Sequence, residues 1–415
     1  TKLDRSQIPV ADFRDMCRDF ALGYVDTQRE QFKRLGVTGD WEHPYITVLP
    51  EFEAEQIKVF GEMMNKGIIY RGFKSVYWCP DDETALAEAE IEYQDDKCES
   101  IYVKFKVCDD KGKLASLCDL DNTYFVIWTT TPWTIPSNEA VSLNPNLTYA
   151  EVQTEKGKLI FLESMTDKLL AEFQLENKGV LRTFKGAELE NITYHHVVLP
   201  KDCPVILGEH VTDEDGTGCV HTAGGHGLDD YYVCQKYGIA PICSVDEKGY
   251  MNEEAGPECQ GLFFEDCSKK IITMMNEKGC LLAVDKITHS YPHDDRLKKK
   301  VIFRAAKQWF CSIEKIREQL LDQIQNHVTW HNEWGQIRMY NMIKDRGDWC
   351  ISRQRLWGVP IPIIYNEDGS PIMEKEVFDH VADLIDEFGS NVWFEKEAME
   401  LIPEGFTCPH CGGQT

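Results

Sequence analysis

Four stretches of this 415-residue chain carry side chains whose types and spacing could do chemistry. The first is WTTTPWTIPSN, residues 128–138. Thr129, Thr130 and Thr131 stand in a row after the buried-strand run 124–128, and Pro132 and Pro136 follow. Proline brings no N–H to a sheet ladder, so the segment must leave the sheet there. Hydroxyls at such a bend can donate and accept hydrogen bonds to a ligand's ribose, carbonyl or amine. A Thr-rich edge strand is the plain alternative, since Thr is a good β-former. The second stretch is GTGCVHTAGGHGLDDYY, residues 216–232, with five glycines that let backbone approach a ligand closely. His221 follows a β run. His226, Asp229 and Asp230 sit at the start of a helix, where one aspartate is expected to cap free N–H groups and the other to hold a cation such as an α-ammonium group. Metal binding by His221, His226 and Asp230 competes with that reading, but the spacing is not HExxH and no third strong ligand is near in sequence. A phosphate loop is not expected, because GK[ST] is missing.

The third stretch is RGDWCISRQRLWGVPIP, residues 346–362. Arg353 and Arg355 could pair with phosphates or carboxylates; an aromatic core edge with surface arginines is the plain alternative. The fourth is CPHCGG, residues 408–413. Cys408 and Cys411 have the spacing of half a zinc knuckle, with no second CxxC to complete it, so a site without bound zinc is the expectation.

The elements that must position these residues follow from periodicity. Apolar residues at helical spacing predict helices over 11–36 and 50–67, the latter opened by Pro50. Residues 68–78 read as strand–turn–strand. From about residue 100 the texture becomes short β runs between Gly, Asn and Asp turns, among them IYVKFKV, YFVIW, YAEVQT, KLIFLE and HHVVLP. Helices are expected from Leu228 to Gly238 and over 264–279. After 286 the pattern is helical again at 312–326, then a dense aromatic and basic segment at 330–360, then a βαβ-like tail. A β-rich block thus sits inside a different domain that brackets it: 1–99, 100–285 and 286–415.

Composition narrows the function classes. A 42% hydrophobic content supports real cores, and no apolar run is long enough to cross a membrane. The net charge of −26 argues against general nucleic-acid binding. Two local basic clusters, Lys298, Lys299, Lys300, Arg304 and Lys307, and Arg338, Lys344, Arg346, Arg353 and Arg355, read as solvated charge on helices. Sixteen scattered cysteines read as reduced, mostly buried thiols of a cytoplasmic protein. The missing initiator Met and signal peptide fit a fragment or a processed chain.

Together the four stretches resemble the bacterial-type isoleucyl-tRNA synthetase family. WTTTPWTIPSN resembles the threonine-rich segment of its editing domain, where the valyl and leucyl relatives have TTRPET and TTRPDT. GTGCVHTAGGHGLDDY resembles the second editing segment, usually GTGxVHxAPGHGxDDY. DWCISRQRLWGVPIP resembles the return to the class I catalytic domain, and FRDMCRDFALGYVDTQREQFKRLGVTGDW extends the resemblance toward the start. The motifs that bracket this region in the family, HIGH and KMSKS, are not found, so ATP-dependent activation of isoleucine by this chain alone is not expected. The resemblance implies an α/β protein: a β-rich, barrel-like editing domain with peripheral helices, inserted into pieces of a class I Rossmann-type catalytic domain.

It implies a function as well: hydrolysis of valyl-tRNA(Ile), and of valyl-adenylate, by a monomeric protein that handles valine and isoleucine as esters or adenylates. One missing methylene is worth only about 1–3 kcal/mol in a synthetic site, so a second, smaller site must do the sorting. Asp230 would grip the α-ammonium. Thr130 and Thr131 would stabilise the oxyanion, and His221 would face the amino-acid side chain. Thr129, Trp133, Thr134, Asn138, Gly218 and His226 would hold the amino acid and the terminal adenosine. ATP serves only the parent enzyme. Gly224 stands where the family usually has proline, which is expected to loosen the loop beside His221. Cys79 keeps one position of a family zinc site, while Asp82, Asp294 and Leu297 occupy the others, so that site is gone. A metal-dependent hydrolase and a catalytically inactive tRNA-binding module are the alternatives of other classes.

Overall fold

The alternating runs of the middle of the chain become a large, mostly antiparallel sheet in the computed structural model, which describes residues 7–114, 120–409 and 412. Helices α1 (Val10–Arg34) and α2 (Pro50–Asn65) lead into strands β1 (Ile69–Cys79), β2 (Thr84–Leu86) and the long β3 (Ile91–Asp109). There follow β4 (Thr123–Thr129), β5 (Ala140–Leu143), β6 (Thr148–Thr154), β7 (Gly157–Leu162), α3 (Thr166–Glu172), β8 (Val180–Lys185), β9 (Thr193–His195), β10 (Asp202–Leu207) and β11 (Cys219–Thr222). Then come α4 (Leu228–Lys236), α5 (Phe264–Glu277), β12 (Leu281–Asp294), β13 (Ile302–Cys311), α6 (Arg317–Asp322), α7 (Glu333–Lys344), β14 (Trp349–Cys350), α8 (Lys375–Phe388) and α9 (Val392–Glu395). The chain divides into two units, Thr1–Arg71 with Trp309–Thr415, and Gly72–Gln308.

In the Gly72–Gln308 unit the strand order is β12-β3-β9-β10-β5-β11-β4-β7-β6-β8, and β3 also pairs with β4. That extra pairing closes β3, β9, β10, β5, β11 and β4 into a barrel. Closure removes edges that would otherwise template aggregation. Its interior takes Ile101, Val103 and Phe105 from β3, and Phe105 stacks on Tyr194 of β9 at 5.2 Å. Beyond the barrel, β3 and β12 continue as a two-stranded ribbon, paired from Leu281↔Val103 to Asp294↔Ile91.

In the other unit α2 packs on α8. Ala54 and Ile57 meet Val377, Val381, Ala382 and Ile385 in one apolar cluster. Gly61 allows the approach, since a Cβ there would lie 2.8 Å from Phe378 Cβ. Arg14 of α1 is buried, and its guanidinium donates to Leu356 O, Gly358 O, Ser390 and Asn391. No helix among the described residues is long and apolar enough to cross a membrane.

Several local expectations change. Residues 69–79 form one strand, because alternation runs through Gly72 and a lone glycine is not a turn. HHVVLP is not a strand beyond His195: His196 Nδ1 accepts from Val198 N–H and Leu199 N–H and turns the chain. The expected helix at 312–326 breaks into the short α6 between a 3-10 turn and a π turn. The βαβ-like tail is absent among the described residues; Pro360 and Pro362 remove ladder donors, and only the bridge Tyr365↔Pro371 forms before α8.

Candidate active site at the end of the barrel

Strand β4 stops at Thr129, and Pro132–Ser137 turns as a 3-10 helix. The threonine row therefore rims the barrel end instead of continuing the ladder. Strand β11 brings His221 beside it, paired to Val141 of β5. After the tight turn 223–227, α4 returns Asp230 to the same place. Together they enclose a cleft of about 380 Å³ lined by Thr129, Thr130, Thr131, Thr134, Gly218, His221, His226 and Asp230. That volume lies in the range of small-molecule sites.

The hydroxyls form a chain. Thr129 Oγ1 lies 3.2 Å from Thr131 Oγ1, which lies 3.4 Å from Thr134 Oγ1. Thr134 donates to Thr131 O at 2.8 Å, so it accepts from His221 Nε2–H at 3.0 Å. Asn138 Nδ2 donates to His221 Nδ1 at 2.7 Å, and Asn138 Oδ1 accepts from Tyr194 at 2.5 Å. Every polar group of this inner chain is thus satisfied, as burial demands. The Thr130 hydroxyl bonds to none of the described side chains and opens on the cleft.

Electrostatics follow from burial. His221 is pushed down to about 3, by burial and then by neighbouring His226. His226 is pushed down to about 4, again mainly by burial. Both are neutral at pH 7 and neither is a competent base. Asp230 is raised to about 7 by burial, against the Ala223 N–H that donates to its Oδ2 at 2.9 Å. Three histidines, His210, His221 and His226, line the cleft, and its acidic side chains are Asp230 and Asp215. Such a site accepts a cation and hydroxyl-rich groups.

The predicted residues do not all share one wall. Trp133 is buried edge-on to His226 and Phe264, at 5.0 Å and 5.6 Å. It faces a second cleft of about 250 Å³ that shares only Thr130 and Thr131 with the first and carries Lys97, Lys269 and Lys300. Asn138 is fully buried behind His221. Neither aspartate caps α4. Gly227 holds that position with no side-chain cap, and Asp230 points back to Ala223 N–H instead. The loop at Gly224 is not loosened by its missing proline ring, because Gly224 N–H donates to Glu139 Oε2 at 3.0 Å. Sequence reasoning missed His210, Thr212 and Asp215, which line the cleft, and Glu139 behind it. The signal for Glu139 was a lone carboxylate in the apolar run SNEAVSL.

Metal ligation by His221 and His226 conflicts with their bonding. Both nitrogens of His221 are engaged as above. His226 Nδ1–H donates to Phe303 O at 2.9 Å, and its Nε2 accepts from Ser244 N–H at 3.3 Å. Among the described residues the ligand-bearing group is elsewhere, at Cys108, His195 and Asp202 on the outer face of β3, β9 and β10. Cys408 is buried, and Cys411 lies outside the described residues. The basic run is neutralised locally: Lys298 pairs with Glu92 at 2.6 Å, Lys300 with Asp96 at 2.8 Å and Arg304 with Glu247 at 2.5 Å. At Asp294, Oδ1 accepts from Arg296 N–H and Leu297 N–H, at 2.7 Å and 2.6 Å, and so closes the turn.

The profile of "tRNA synthetases class I (I, L, M and V)" matches residues 1–409. The chain is 53% identical over 407 residues to the isoleucine–tRNA ligase of Geobacillus thermodenitrificans, covering 98% of this chain and 43% of that protein. It is 51% identical over 408 residues to the isoleucine–tRNA ligase of Bacillus subtilis, covering 98% and 44%. The chain therefore spans less than half the length of these curated relatives. Among solved structures, the P. knowlesi cytosolic leucyl-tRNA synthetase editing domain is similar over 44% of this chain and 95% of that chain, at 14% identity and a TM-score of 0.36.

Proposed function

Since the chain belongs to the class I tRNA synthetase family, we propose that its parent is an isoleucine–tRNA ligase and that this region carries the editing hydrolase. The parent would join isoleucine to tRNA(Ile) with ATP in the cytoplasm. This region would hydrolyse valyl-tRNA(Ile), and valyl-adenylate by the same cleft, as a monomer. The observation that carries the reading is a carboxylate, Asp230, set among threonine hydroxyls and imidazoles in a cleft whose other acidic side chain is Asp215 and whose described lining has no lysine or arginine. An aminoacyl ester needs that set: an anion for the α-ammonium, hydroxyls for the carbonyl and ribose, and no competing cation.

In this mechanism Asp230 binds the α-ammonium and thereby orients the ester. The open Thr130 hydroxyl, with Thr131 beside it, donates to the carbonyl oxygen as charge develops there. His221 and His226 are too weakly basic and Asp230 is engaged with the α-ammonium, so a water held by the substrate's own vicinal ribose hydroxyl attacks the carbonyl; its proton passes through that hydroxyl to the ribose oxygen that leaves as the ester C–O bond breaks. His221 is rigid, because both its nitrogens are bonded. It forms the floor that admits valine and rejects one more methylene. Thr129, Thr134 and Gly218 complete the wall, Asn138 locks the His221 tautomer, and Trp133 and His226 brace the row from behind. We take 100–285 as the editing domain, between flanks 1–99 and 286–415; the start of β3–β4 pairing at Ile101↔Thr129 supports the first boundary.

The test is release of valine from valyl-tRNA(Ile), with isoleucyl-tRNA(Ile) as control. Selective release is expected, and Asp230→Ala should slow it by about 100-fold, the scale of a lost positioning contact. Full activity in that variant, or equal release of both amino acids, would refute the assignment.

A further inference from the structure

Three consecutive residues lie against β11 and the turn that follows it. Ser137 Oγ lies 3.1 Å from His226 Nε2, Asn138 Nδ2 donates to His221 Nδ1 at 2.7 Å, and Glu139 Oε2 accepts from Gly224 N–H at 3.0 Å. The first two hold side chains of the cleft. Glu139 holds only backbone. Glu139 as a whole is 6% exposed, and its carboxylate accepts a second, longer bond from Ile242 N–H at 3.4 Å. Its own N–H donates to Thr222 O at 2.9 Å, which anchors it to β11.

The neighbouring amide gives this contact a consequence. Ala223 N–H donates to Asp230 Oδ2 at 2.9 Å. Two successive N–H groups of one turn are therefore held by carboxylates from different elements, Glu139 before β5 and Asp230 in the first turn of α4. The two N–H groups lie on adjacent rigid peptide planes that share only Ala223 Cα, so once the torsions of Ala223 are held, fixing one N–H restricts the aim of the other. Gly224 is suited to the contact. It supplies an N–H that proline lacks, and a Cβ there would stand 3.3 Å from Glu139 Oε2 and 3.2 Å from Cys234 Sγ. Burial pushes the Glu139 carboxyl up to about 7, so the group is costly where it stands. An apolar residue would spare that cost and lose the grip.

We propose that Glu139 is a positioning residue for deacylation, which latches Gly224 N–H and so aims Asp230 at the α-ammonium of the ester. This rests on the editing reading above.

The experiment compares two esters of tRNA(Ile), valyl and α-hydroxyisovaleryl, the second lacking the ammonium that Asp230 binds. The proteins are the chain, Glu139→Leu, Glu139→Gln, Gly224→Pro and the Glu139→Leu/Gly224→Pro double variant. Glu139→Gln keeps an acceptor oxygen and guards against misfolding of the leucine variant. Glu139→Leu and Gly224→Pro should each lower the valyl-to-hydroxyacyl rate ratio by about 10-fold, mainly through kcat/KM, and the double variant should be no worse than the poorer single one. Glu139→Gln should lie between Glu139→Leu and the parent chain. Equal losses on both esters, or additive losses in the double variant, would reduce Glu139 to a structural role and overturn the proposal. Amide exchange at Gly224 reads the latch without any substrate. Its protection should fall in Glu139→Leu; unchanged protection overturns the latch. If the parent chain releases no valine while that protection still falls, the editing reading fails and the latch stands.

Discussion

Asp230 shows how one residue's protonation can govern the cleft. Its carboxyl is raised to about 7, chiefly by burial. On the proposed reading the ionised form binds an α-ammonium, so kcat/KM for valyl ester should rise with pH up to about 7 and fall again above about 8, where the α-ammonium itself loses its proton. His221 and His226, held down to about 3 and 4, contribute nothing to that limb. The measurement is a pH profile from 5.5 to 8.5, corrected for uncatalysed ester hydrolysis. The same profile on the α-hydroxyisovaleryl ester should be flat after correction, since no ammonium is bound. An identical limb on both esters would place the titration on another group. The two histidines act on stability instead. Their folded values lie below the usual imidazole value, so the unfolded chain binds more protons as pH falls below about 6.5, and stability is lost toward pH 3.

Elements matter here through how they end. Strand β4 stops because Pro132 cannot ladder, and β11 begins because Gly218 can turn. Gly218 has φ +72, and a Cβ there would lie 2.1 Å from Leu162 Cγ. Its carbonyl also accepts from Tyr149 at 2.7 Å. Gly218→Ala must therefore displace β11 against β7 and strain its own backbone. We expect a stability loss of about 2–4 kcal/mol from overpacking and left-handed strain together, seen as a lowered urea midpoint. Editing should fall with it, because β11 carries His221. A midpoint within error of the parent would mean that Leu162 yields freely.

At the scale of the molecule, the Gly72–Gln308 unit has its own closed barrel and its own apolar interior. A polypeptide of residues 72–308 should fold cooperatively and keep selective valine release from valyl-tRNA(Ile), within about 10-fold of the longer chain, since every cleft residue lies inside it. A single cooperative thermal transition checks the first claim and the deacylation assay the second. A fragment without a transition would show that the barrel depends on the flanking residues. No disulfide joins any two of the described cysteines, so reducing agent should leave the transition unchanged.

Much was legible in order along the chain. Period-two alternation marked the strands, Pro50 marked the start of α2, and the proline-punctuated and glycine-rich stretches singled out Thr129, Thr130, Thr131, Thr134, His221 and Asp230, which line one cleft. These are local properties: backbone torsions, missing donors and side-chain chemistry act within a few residues. Other features depended on contacts between residues far apart in sequence. Closure of the barrel needed the pairing of β3 with β4. Asp230 turned from a helix cap to the Ala223 amide because that N–H had no other partner. Asn138 sank behind His221, and Trp133 turned to the other side of the row. Gly224, read alone as a loosened loop, became a fixed one because Glu139, 85 positions earlier, supplied the acceptor. A lone glycine records only freedom; whether that freedom is spent on motion or on a hydrogen bond is decided by what folds against it.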